Sequence, residues 1–134
     1  MNKEKMKLTN KEKEEIFYNS LCNAEGIGYL NSYGVEMSYE PSQYALTREA
    51  LKEAGKAICY EDILMEILKR GGSLTYIDIE GEGEMTSTIM MNDVYERIDN
   101  VPKTIIGNFL SENDDVVDAD VVLQTIFWNK VIFG

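Results

Sequence analysis

Histidine is absent from the 134 residues of this chain. The most frequent side-chain acid/base near neutral pH, and the most frequent transition-metal ligand, is therefore missing. Catalytic triads and zinc sites that need imidazole are excluded. Cysteine occurs only as Cys22 and Cys59, too few for a four-thiolate zinc site or an iron–sulfur cluster within one chain. Both lie in apolar periodic segments and are expected as buried small hydrophobes. Proline is limited to two residues, and polar and apolar positions are well mixed, which argues against a disordered chain. No stretch approaches the roughly 20 apolar residues of a membrane span. The charged start, Met1-Asn2-Lys3-Glu4-Lys5, leads into no apolar signal core, so a cytoplasmic protein is expected.

What is abundant is apolar side chain and negative charge. At 44% hydrophobic, a chain of this length buries roughly two-thirds of its unfolded surface without help from a disulfide or metal. The formal net charge of −11 is unevenly placed. Residues 1–56 sum to −1 and residues 57–134 to −10, and within the latter residues 71–120 hold 12 acidic residues against Arg97 and Lys103. A field of that sign repels phosphates and anionic lipids. The expected partner is a protein with a basic surface, with no direct nucleic-acid binding and no membrane. The alternative reading of the same charge is solubility alone.

Element signals run in a clear order. Thr9 and Glu12 have capping-box spacing, and the apolar stripe Ile16, Phe17, Leu21, Ala24 predicts a helix over about 10–25. Val35–Tyr39 alternates as a half-buried strand ended by Pro41. Ser42 or Thr47 caps a second helix stopped at Gly55. Tyr60–Gly72 is the plainest helix, with Glu61 and Asp62 at its positive end and Lys69 and Arg70 at its negative end. Residues 74–79 and 85–90 form a hairpin across Glu80-Gly81-Glu82-Gly83-Glu84. Asn92 caps a short helix, and Pro102 opens another as its first residue. An acidic loop spans 111–120, followed by a helix begun near Asp118 or Asp120 and a final strand at 130–133. The expected fold is α+β, a single domain over 1–134 with residues 1–8 as a flexible basic tail. About five helices pack on a small, mostly antiparallel sheet centred on the 73–91 hairpin.

Three features compete as sites. Asp78, Glu80, Glu82 and Glu84 share one side if the strand stays extended. A calcium loop begun at Asp78 fails because its twelfth residue is Ile89, where a carboxylate is required. The second feature is Glu112, Asp114, Asp115, Asp118 and Asp120; with the first it forms a candidate acidic recognition surface. The third is Tyr29, Tyr33, Tyr39 and Tyr44, candidate interface aromatics around a glycine-rich bend. No catalytic residue, metal ligand or cofactor site is assigned: the 24 acidic residues mark no particular pair, and Ser and Thr lack a partner base. The leading expectation is a non-catalytic acidic binding or regulatory protein. Its sharper form is a nucleic-acid charge mimic inhibiting a nucleic-acid-binding or host-defence protein. The alternatives are a self-associating structural protein, with its apolar tail Ile126–Phe133 in the interface of a homo-oligomer, and a small-molecule or cation binder.

Overall fold

Thr9 and Glu12 make the reciprocal cap that their spacing predicts. The Thr9 hydroxyl accepts from the Glu12 amide at 3.0 Å, and the Thr9 amide donates to the Glu12 carboxylate at 2.8 Å. The computed structural model describes residues 7–134, and this cap starts its first helix, α1 (Asn10–Asn23). Of the expected basic tail, residues 1–6 lie outside the described residues, while Leu8 packs against the core.

Two 3-10 turns (Glu25–Ile27 and Tyr29–Tyr33) carry the chain from α1 into strand β1 (Val35–Ser38). Gly34 closes the second turn at φ +89°, a backbone angle that L side chains rarely adopt, and its N–H donates to the carbonyl of Asn31. Helix α2 (Pro41–Glu53) begins earlier than expected. Pro41 stands at its first turn rather than merely ending the strand, and the cap is Glu40, whose carboxylate accepts from the Gln43 amide at 2.8 Å. Proline tolerates that position because its missing N–H would have no helical partner there. Helix α3 (Tyr60–Lys69) follows the sequence reading closely.

Strands β2 (Leu74–Asp78) and β3 (Ser87–Ile89) complete a three-stranded antiparallel sheet in the order β1-β2-β3. Val35 lies opposite Asp78, Met37 opposite Tyr76, and Leu74 opposite Ile89. The period of two then buries Val35, Leu74, Tyr76 and Ile89 and turns Glu36, Ile77 and Thr88 outward. Helix α4 (Met91–Arg97) is capped by Asp93 rather than Asn92: the Asp93 carboxylate accepts from the Met90 amide at 2.8 Å. Pro102 precedes α5 (Lys103–Leu110) as its cap residue.

The last helix, α6 (Val116–Trp128), starts at the Asp115 cap, before the expected Asp118 or Asp120, which shortens the acidic loop. It is the hub of the core. Ala119, Val122, Leu123, Gln124, Thr125, Ile126 and Phe127 are all buried, a helix enclosed on nearly every side. α1 packs along it, and Phe127 meets Tyr76 of the sheet edge-on at 4.5 Å between ring centroids. Among the described residues, six helices on a three-stranded antiparallel sheet make an α+β fold, one helix more than expected. No strand forms at 130–133. Asn129 turns the chain through φ +63°, and Gln124 captures the tail. Among the described residues no helix is long and apolar enough to cross a membrane.

Candidate functional site

The hairpin loop is built around Asp78. One carboxylate oxygen accepts from the amides of Glu80 at 3.2 Å and Gly81 at 2.6 Å; the other accepts from Met85 at 2.9 Å. The Asp78 amide donates to the Thr86 hydroxyl at 2.9 Å. These backbone donors, Met85 and Gly81 foremost, hold the Asp78 carboxyl below the usual range. The loop is anchored on both flanks: the Trp128 indole donates to the Met85 carbonyl at 2.7 Å, and the Ile79 amide to the Gly34 carbonyl at 2.9 Å. Residues 79–85 therefore form a pinned turn, not an extended strand, and Asp78 does not share a side with its glutamates. It is buried beneath them, and Glu80, Glu82 and Glu84 are exposed.

The second acidic group divides in the same way. Asp115 caps α6 by accepting from the Asp118 amide at 2.9 Å. Asp118 is buried and accepts from the Asp115 amide and the Asn108 side chain. Asp120 is buried too, taking the Tyr33 hydroxyl at 2.7 Å and the Gln124 amide at 2.9 Å. Asp114 is half-buried and accepts from Asn23 at 2.7 Å, while Glu112 and Asp115 are exposed. Of the nine acidic candidates, Asp78, Asp118 and Asp120 thus face inward and hold the fold together.

The two groups do not merge into one patch. Met85 is bonded to Trp128 at one end of α6, and Asp115 stands at the other end. At 1.5 Å per residue, those ends lie about 20 Å apart. None of the nine takes part in the four ion pairs of the described residues, which are Lys13–Asp99, Lys69–Glu14, Arg70–Glu66 and Arg97–Asp93. Lysines gather elsewhere: Lys7, Lys13 and Lys103 line a cavity of about 350 Å³ floored by Leu8, Ile98, Val101 and Ile106.

The four tyrosines separate into two pairs. Tyr29 and Tyr33 meet edge-on at 6.2 Å, and Tyr33 stacks on Phe133 at 5.0 Å, fastening the chain's end. Burial first, then the Asp120 carboxylate, push the Tyr33 hydroxyl far above its ordinary range. Tyr39 and Tyr44 stack on each other at 4.6 Å, and Tyr60 meets Tyr39 at 6.4 Å. Of the tail Ile126–Phe133, Ile126 and Phe127 are buried in the core, Trp128 and Phe133 pack edge-on at 5.2 Å, and Val131 is exposed.

Two residues escaped sequence reasoning. Glu25, 8% exposed, accepts from the hydroxyls of Tyr76 at 2.6 Å and Tyr60 at 2.8 Å. Burial is the main force raising its pKa; the two tyrosine donors pull the other way, and Glu61 adds to the rise. Gln124 is fully buried, and its carbonyl accepts from the amides of Ile132 and Phe133, each at 2.8 Å. A lone amide inside the apolar run 121–127 was a readable signal for Gln124. Glu25 had none.

The cysteines correct an expectation. Cys59 is exposed because it immediately precedes α3 instead of lying on its apolar stripe, and Cys22 is half-buried. Among the described residues no three Cys, Asp or Glu side chains converge to hold a metal ion. Comparison with protein families, curated proteins and solved structures finds no match to this chain.

Proposed function

We propose that this is a non-catalytic acidic binding protein that acts through protein–protein contacts and presents its hairpin tip to a basic partner. The observation that carries the reading is the pinned turn. Asp78 is committed to fixing the loop, while Glu80, Glu82 and Glu84 are exposed, Glu80 lying along Gly34, and none makes an ion pair among the described residues. A rigid turn loses little conformational freedom when it binds, so its charge is well placed for recognition. Ile79 beside it is 54% exposed and adds apolar contact area.

The sharper form is a charge mimic that occupies a nucleic-acid-binding groove and so inhibits a nuclease or defence effector. Its support is the separation of −1 from −10 along the chain and the second exposed group, Glu112 and Asp115, at the far end of α6. Such binding is electrostatic and must weaken with salt. The test is binding of the purified protein to a panel of basic nucleic-acid-binding proteins across a salt series. Affinity should fall steeply between low and high salt, and fall again when Glu80, Glu82 and Glu84 are all changed to Gln. Salt-independent binding, or none to any basic protein, overturns the reading.

A further inference from the structure

Three lysines from separate parts of the chain converge on the cavity of about 350 Å³. Lys7 precedes α1, Lys13 lies within α1, and Lys103 opens α5. Lys13 is the fixed member. Its side chain is 12% exposed, and its ammonium donates to the Tyr95 carbonyl at 2.8 Å and to Asp99 at 3.4 Å. Lys7 and Lys103 are exposed. Between them the lining is apolar: Ile98 from the 3-10 turn Ile98–Asn100, Val101, Ile106 of α5, and half-buried Leu8. The methylene stems of the lysines extend that surface.

Asp99 is the one carboxylate in the lining, and it already meets Lys13. The lining side chains thus carry three positive charges against one negative, in a chain whose net charge is −11. A larger cavity of about 600 Å³ beside α1 and α3 is lined by three lysines and four carboxylates and so selects neither sign.

We infer that the lysine-lined cavity is a binding site for a small organic anion, a carboxylate or phosphate monoester carrying a short apolar body. The charge of the lining sets the sign of the head, and the apolar lining sets the body. Lysines act as point charges without the planar fork of arginine, so the head is chosen by charge more than by shape. The volume lies near the lower end for ligand pockets, roughly 300–1,000 Å³, which restricts the body to a short one. The field of the whole chain repels anions, so the lysines must act at short range. At physiological salt the screening length is about 8 Å, which weakens the distant carboxylates more than contacts inside the cavity. No residue of the acidic hairpin tip lines this cavity, so the inference does not depend on the basic partner.

The test is titration of the full chain at physiological salt, followed by NMR through the methyl signals of Leu8, Ile98, Val101 and Ile106. The probes are hexanoate, hexan-1-ol and acetate. Hexanoate should shift these four methyl groups and bind about fivefold or more tighter than hexan-1-ol, the Coulomb gain of one 4 Å contact even in water. Acetate, which lacks the body, should bind more than about tenfold more weakly than hexanoate. Changing Lys7 and Lys103 together to Gln, both at exposed positions, should bring hexanoate close to the affinity of hexan-1-ol. Hexyl phosphate against hexanoate tells which head the lysines take, and either one meeting these criteria sustains the site. Hexan-1-ol binding as tightly as both anions overturns the role of the lysines, and acetate binding as tightly as hexanoate overturns that of the apolar lining. No shift of the four methyl groups at tens of millimolar of either anion overturns the site altogether. The titrations of the unaltered protein decide these points even if the double variant fails to fold.

Discussion

Tyr76 donates its hydroxyl to Glu25 across 2.6 Å, inside the core, and among the described residues Glu25 makes no ion pair. A buried carboxylate without a countercharge is costly to keep ionised. Its pKa is raised in the folded state, chiefly by burial. The linkage sign follows from that direction. Stability from this group is complete below the ordinary carboxylate range and is lost as pH rises through the elevated folded value. Melting temperatures measured from pH 4 to 8 should fall more for the unaltered protein than for Glu25→Gln. A profile for Glu25→Gln that falls just as steeply would refute the assignment.

The converse variant isolates the hydrogen bond. Tyr76→Phe removes the donor and leaves one Glu25 oxygen buried without a partner. The loss should be about 1.5–3 kcal/mol near neutral pH, the range for a hydrogen bond to a charged group. It should shrink in mild acid, where the carboxylate takes up its own proton. Urea unfolding at the two pH values checks both statements.

The local parts of this fold were open to sequence reading, and the distant ones were not. The Thr9–Glu12 cap, the charged ends of α3 and the glycine-bearing hairpin are all settled within a few residues, where letters and geometry correspond closely. The start of α6 was ambiguous because Asp115, Asp118 and Asp120 offer similar caps, and β-branched Val116 and Val117 do not announce a helix. The roles of the carboxylates were hidden for another reason. A capping Asp, a buried Asp and a solvated Asp are the same letter, and only the fold decides which amides surround it. Glu25 is the extreme case, since its partners Tyr60 and Tyr76 arrive from 35 and 51 residues away.

Asp78 gives a pH dependence of opposite sign. Its pKa is lowered, first by the Met85 amide and then by Gly81. Its contribution is therefore present above the ordinary Asp range, near pH 4, and is lost as pH falls through the lower folded value. Asp78→Asn keeps one acceptor oxygen where three backbone amides need two. It should destabilise the protein more than Glu80→Gln and flatten the acid limb of unfolding below pH 4. Acid titration followed by tryptophan fluorescence reads this directly, because Trp128 donates to Met85 in the same loop.

Gln124 binds the chain's end to α6. Its side-chain nitrogen donates to Asp120 at 2.9 Å and to the Phe133 carbonyl at 3.3 Å, while its oxygen holds two tail amides. Gln124→Leu keeps the volume and removes all four bonds, at an expected cost of about 2–3 kcal/mol. Hydrogen exchange gives the sharper readout. The amides of Ile132 and Phe133 should be protected in the unaltered protein and exchange freely in Gln124→Leu, with Phe133 released from Tyr33.

Glu82 separates stability from recognition at the hairpin tip. It holds φ +60°, the left-handed region, without being glycine. That conformation costs a residue with a Cβ roughly 1–2 kcal/mol, partly offset in glycine by the greater entropy of its unfolded chain. Glu82→Gly should therefore leave the protein as stable as before or up to about 1 kcal/mol more so. Glu82→Ala keeps the strained backbone and should gain nothing. Both remove the same charge, so both should weaken binding to a basic partner by a similar factor. A glutamate retained at a strained position for its charge gives this divergence of stability and affinity. If neither variant changes affinity, the exposed tip contributes solubility alone and the binding face lies elsewhere on the molecule.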